Sequence, residues 1–111
     1  MKPLIPLLLL ALAGAACSDS SGPGTQADIE VRDNTFSPSA FSTTTDSTVT
    51  WGWTGAVPHN VTWVGAGAPS PSPTQTTGTY QRTFDAAGTY DYYCTLHGAP
   101  TTGMRGTVTV P

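Results

Sequence analysis

The sequence predicts an all-β domain, a sandwich of seven or eight short strands. Three observations carry that prediction. After the first 26 residues no stretch of useful length repeats its apolar residues at helical spacing. Short runs alternate apolar and polar residues instead, and turn formers separate them. The composition is rich in Thr, Val, Gly, Pro and aromatic residues, as suits strands and tight connections.

The runs follow one another closely. "ADIEVRD" (27–33) sets Ile29 and Val31 on one face and Asp28, Glu30 and Arg32 on the other. "NTFSPSAF" (34–41) is interrupted by Pro38, which marks an edge segment, and turns Phe36 and Phe41 inward. "STVTWGWT" (47–54) alternates Val49, Trp51 and Trp53 with Thr48, Thr50 and Gly52. Further strands are expected in "HNVTWV" (59–64), "TYQRTF" (79–84), "GTYDYYC" (88–94) and "MRGTVTV" (104–110). "GAGAPSPSPTQTTG" (65–78) reads as a Pro/Ser-rich loop without chemistry of its own. Such a series of short strands within one small domain is the pattern of a β-sandwich.

The first seventeen residues, "MKPLIPLLLLALAGAAC", form no part of that fold. Lys2 precedes an apolar run from Leu4 to Ala13, and small residues follow, which is the pattern of a secretory signal peptide. A cut after Ala15 fits ordinary secretion. "AGAAC" before a polar stretch also resembles a lipoprotein box, with Cys17 lipidated as the mature N-terminus, although Gly14 stands where that box usually has Leu. "SDSSGPGTQ" (18–26) is a flexible tether, and 27–111 is a single small domain. The formal charge is −3 and the charges are dispersed, so neither a nucleic-acid partner nor an acidic tail is indicated.

Cysteine usage is the sharper constraint. The chain has two cysteines, two histidines and two methionines. If Cys17 carries lipid, Cys94 has no disulfide partner. A lone thiol in an oxidising compartment is a liability unless something occupies it. A buried inert thiol, or a disulfide to Cys17, is the bland alternative. In "TYDYYCTLH" the period of two puts Tyr90, Tyr92 and Cys94 on the buried face, and His97 follows where the strand ends. His59 likewise begins a strand, sharing a face with Val61 and Trp63. Both histidines therefore fall at a pole of the sandwich. His59, Cys94, His97 and Met104 are the candidate metal ligands. Two imidazoles and a thiolate, with a weak axial thioether, are the donor set of an electron-transfer copper site. Singly, each of these residues would be ordinary packing; together they point to copper.

"DNTFSP", "VTW", "PHNV", "GTYDYYCTLHG" and "GMRGTVTV" jointly resemble the plastocyanin/pseudoazurin branch of the cupredoxins, the small blue copper proteins, over about Asp28 to Val110. The resemblance implies a Greek-key sandwich holding one copper ion that cycles between Cu(I) and Cu(II). It implies His59, Cys94 and His97 as equatorial ligands, Met104 as axial ligand, and Asn60 as a brace for the segment carrying Cys94. Two departures stand out. Six residues separate His97 from Met104, more than is usual in this branch. The stretch "TWVGAGAPSPSP" is uncharged where plant plastocyanins carry an acidic docking patch, so no photosynthetic partner is inferred.

The expected function is one-electron transfer between exported redox partners, at the periplasm or cell surface. Catalysis is not expected, because four protein ligands leave no open position for a substrate. The edge of His97, among the uncharged Val57, Pro58, Gly98, Ala99 and Pro100, is the expected electron port for a monomer meeting its partners weakly. A copper carrier or chaperone without redox cycling is the alternative, though such sites are usually Met-rich and only Met104 follows the leader. A metal-free, adhesion-like sandwich is a third reading. A Cys/His hydrolase lacks an orienting third group, and a binuclear copper site needs a second ligand cysteine.

Overall fold

A computed structural model describes residues 27–65 and 68–111. The leader, Cys17 and the tether (18–26) lie outside them. Among the described residues there are eight strands and no helix. They are β1 (Ile29–Arg32), β2 (Thr35–Ser37), β3 (Ala40–Ser42), β4 (Thr48–Trp53), β5 (Thr62–Trp63), β6 (Thr79–Thr83), β7 (Gly88–Ala99) and β8 (Thr102–Val110). Two four-stranded sheets face each other, ordered β2-β1-β4-β6 and β3-β8-β7-β5. The β1–β4 and β3–β8 pairs are parallel and the rest antiparallel, so the chain passes between the sheets rather than completing one before the other.

The predicted alternation is realised in the core. Ile29, Val31, Phe36, Val49, Trp51, Val61, Trp63, Tyr92, Cys94, Met104 and Val108 are buried between the sheets. Aromatic rings meet edge to face there: Trp51 packs on Trp63 and Tyr92 at centroid distances of 5.6 and 5.5 Å, and Phe36 on Tyr92 at 4.7 Å. Tyr92 lies across from Gly106, and its ring and hydroxyl fill the place a Gly106 side chain would take.

Three local features differ from the plain alternation. "NTFSPSAF" is not one edge segment but two strands in different sheets: Phe36 sits on β2, while Phe41 on β3 is only half-buried. On β4 the outward-facing Thr50 and Gly52 are buried as well. Gln81 donates to the Thr50 hydroxyl, and a side chain at Gly52 would meet Ala27 Cβ at 2.8 Å, so that face is roofed over. Finally, β7 does not stop at Cys94. It runs on to Ala99 through a break in register.

That break positions the site. Tyr93 pairs with Arg105 and Gly98 with Gly103, so Cys94, Thr95, Leu96 and His97 stand against Met104 alone. Such a bulge bends the strand and re-aims its side chains. Beyond it the hairpin closes again through the pairs Gly98–Gly103 and Ala99–Thr102, with Pro100 and Thr101 at the turn. The long spacing from His97 to Met104 is thus consumed as ladder. Lengthening a hairpin by a pair of residues adds a rung and leaves the earlier register unchanged.

Candidate metal centre

His59, Cys94 and His97 converge at one end of the sandwich. His59 comes from the connection between β4 and β5, and the other two from the bulge of β7. His59 and Cys94 are fully buried, while His97 is exposed. The two Nδ1 atoms lie 3.0 Å apart, and Cys94 Sγ is 3.8 Å from that of His59 and 3.7 Å from that of His97. Nitrogen and sulfur donors about 2.0 and 2.3 Å from a shared ion stand roughly 3.0–3.8 Å from one another over the angles such sites adopt. The triangle therefore has the size of a single coordination sphere, and its edges join two soft-to-borderline donor types. The residues fit a metal ion.

The backbone of His59 is held at both of its polar atoms. Its amide donates to the Gln75 carbonyl at 3.0 Å, and its own carbonyl accepts from Gln75 N at 3.0 Å and from Trp53 Nε1 at 3.1 Å. The Pro/Ser-rich loop thus does structural work at the site. It pairs alongside His59, and Ser72 Oγ accepts the Val61 amide at 2.8 Å. Asn60 spans the two ligand-bearing segments: its amide donates to Thr95 Oγ1 at 2.8 Å, and its carbonyl oxygen accepts the Thr95 amide at 3.1 Å. Thr95 is the residue after Cys94, so the bulge is tied to the His59 segment by two bonds. Asn60 also donates to Thr74 Oγ1 at 3.0 Å.

Met104 is buried, directly opposite the bulge. Gly98 is packed so tightly on its backbone that a Cβ there would lie 2.6 Å from both Met104 N and Met104 O. Only glycine fits that approach.

One residue of the site escaped sequence reasoning. Asp33, in the two-residue turn between β1 and β2, places Oδ1 2.9 Å from His59 Nε2. The same carboxylate accepts the amides of Ala56 at 3.0 Å and Val57 at 3.1 Å. The bond to His59, and behind it these two amides, holds the Asp33 carboxyl down at about 2. The signal in the sequence was slight: an Asp-Asn pair at a tight turn, with Asn34 at φ 66°.

The sequence model for copper-binding proteins of the plastocyanin/azurin type matches residues 24–111. The chain belongs to the plastocyanin/azurin family. Among relatives in this family, the plastocyanin of Scenedesmus fuscus is 33% identical over 85 residues, covering 68% of this chain and 85% of its own. In three dimensions the fold is similar to a purple cupredoxin from Nitrosopumilus maritimus, with a TM-score of 0.58, 31% identity and 68% and 81% of the two chains covered. It is also similar to the reduced form of an amicyanin variant, with a TM-score of 0.65, 33% identity and 75% and 79% covered. Within the plastocyanin/azurin family the His-Cys-His cluster fits a mononuclear type 1 copper site. The chain is thus a copper protein of the electron-carrier class, with one ion per chain at His59, Cys94 and His97.

Proposed function

We propose that the protein shuttles single electrons between exported partners, with His59, Cys94 and His97 as equatorial ligands and Met104 as axial ligand. The observation that carries the reading is the compact triangle of two imidazole nitrogens and one buried sulfur. Copper bound there supplies a one-electron couple. The chain's own contribution is rigidity: His59 is fixed by three backbone bonds, and Asn60 ties its segment to Thr95. A frame that cannot relax holds the same geometry in both oxidation states, so little reorganises on transfer. Asn60 is in this reading the brace between ligand segments. Adding Cu(II) to the purified protein should give an intense visible thiolate band that ascorbate bleaches reversibly. Colourless binding would favour a copper carrier instead.

The exposed His97 edge is the electron port. Leu96 beside it is 53% exposed and Val57, on the His59 segment, is 40% exposed, with the Asp33 carboxylate held behind the Val57 amide. A small apolar contact of this kind suits brief encounters.

Met104 tests the axial assignment. A thioether donates weakly along the axis and stabilises the oxidised state more than the reduced one. Met104→Leu keeps the volume of a buried side chain and deletes the sulfur. The variant should stay coloured, with its potential raised by tens of millivolts, where a tenfold change in the equilibrium is about 59 mV. Met104→Gln should lower it. Unchanged potentials in both would make Met104 a packing residue.

The leader at 1–17 exports the chain in this proposal, and lipid on Cys17 anchors it through the tether at 18–26. Two or more acyl chains give stable anchoring where one does not. Native protein should then partition with membranes until detergent is added, and Cys17→Ser should not. Soluble protein with Ala16 as its first residue would show ordinary secretion instead.

A further inference from the structure

Asp33 is tied to the site by more than one contact. Its carboxylate occupies a pocket made by the loop from Gly55 to Val57: Ala56 N donates to both oxygens at 3.0 Å, and Val57 N to Oδ1 at 3.1 Å. Gly55 has no side chain where the carboxylate lies, and a Cβ there would overlap it. The remaining direction of Oδ1 is taken by His59 Nε2 at 2.9 Å. The loop that leads into His59 thus grips the same carboxylate that His59 does, and the carboxylate comes from the β1–β2 hairpin, 26 residues away in the chain.

From this geometry we infer that Asp33 is a positioning residue for the copper centre, orienting His59 and biasing the couple toward its oxidised state. An ionised carboxylate only accepts hydrogen bonds, so the ring nitrogen facing it must carry the proton. With Nε2–H committed to Asp33, Nδ1 of His59 is the lone-pair nitrogen, and Nδ1 is the atom facing Cys94 and His97. A carboxylate behind a ligating imidazole also raises the basicity of the ligand. The higher-charged metal gains more from that than the lower-charged one. Replacing the carboxylate by an uncharged group should therefore weaken the oxidised form selectively. His59 is the buried histidine of the pair, and Asp33 is the group that meets its Nε2.

The inference rests on His59 being a ligand, and the test separates the two. Asp33→Asn keeps an oxygen acceptor of the same shape and removes the charge. Gly55→Ala keeps the charge and displaces the carboxylate from its pocket. In the purified protein, Asp33→Asn should stay coloured with Cu(II) while the ratio of Cu(II) to Cu(I) affinity falls about tenfold, a rise in potential of roughly 59 mV. Zinc, which has no redox chemistry, should bind about 10–100-fold more weakly to both variants. Nitrogen-15 NMR of the wild-type His59 ring, with zinc or without added metal, should show the proton on Nε2. Potential and zinc affinity equal to wild type in Asp33→Asn, even with a lowered melting temperature, would leave Asp33 merely structural and overturn the inference. A wild-type His59 protonated on Nδ1 would overturn it too. If wild-type protein forms no coloured copper complex, the ligand reading falls and this inference with it.

Discussion

Cys94→Ser is expected to abolish the visible band of the copper-loaded protein while the domain stays folded. The sulfur is fully buried and is the only thiolate the described residues can present to the site. The colour arises from charge transfer between thiolate and Cu(II), and an alcohol at neutral pH offers neither a comparable charge nor a comparable orbital. Affinity should fall by more than the roughly 10–100-fold that follows loss of a group behind a ligand. Stability without metal should fall by about 1–3 kcal/mol, because a hydroxyl is buried where the less polar thiol sat, 3.7 and 3.8 Å from the imidazole nitrogens. Copper titration followed by visible absorption, and a denaturant melt of the same sample, measure the two halves. A coloured Ser variant would remove Cys94 from the ligand set.

The other large effect is expected from Gly98→Ala, a change of one methyl group outside the ligands. That methyl would lie 2.6 Å from Met104 N and O and 3.1 Å from its carbonyl carbon. All three are backbone atoms, so no side chain can rotate aside. The hairpin must open at the rung Gly98–Gly103, between His97 and Met104. Overpacking of this kind costs about 1–3 kcal/mol or more, and in a domain of this size each kcal/mol lowers the melting temperature by roughly 4–8 °C. The displaced strands also carry the ligands, so the visible spectrum should shift as the melting temperature falls. A variant with both unchanged would contradict the close approach of Gly98 to Met104. The pairing of the two readouts is informative, since a purely peripheral glycine would move the first alone.

Much of this protein was legible before folding was considered. Strands that are half-buried must alternate their side chains between core and solvent, so Ile29/Val31, Val49/Trp51/Trp53 and Tyr92/Cys94 announced both the sheets and the inward faces. The ligand types were equally legible, because donor chemistry belongs to the side chain itself: a thiol, two imidazoles and a thioether are the same donors in any fold. The same alternation suggested that Cys94 and His97 close a strand, whereas β7 runs on through both to Ala99.

What the sequence could not express is which distant backbones meet. Pairing of β1 with β4 and of β3 with β8 is parallel, across long connections, and no local pattern specifies it. The bulge that sets four residues against Met104 arises because two strands are paired on both sides of a segment of unequal length, a property of the ladder and not of either strand. The six residues between His97 and Met104 stood out as a long spacing; in the fold they form the hairpin rungs Gly98–Gly103 and Ala99–Thr102 and the turn between them. The Pro/Ser-rich loop looked idle, yet its backbone pairs with His59, because a buried segment must satisfy its amides and the loop is what lies beside it. Asp33 reached His59 in the same way. Its residue type was visible, but a hydrogen bond is a statement about position, and only the packing of the β1–β2 turn against the β4–β5 connection brings that carboxylate within 2.9 Å of the ring.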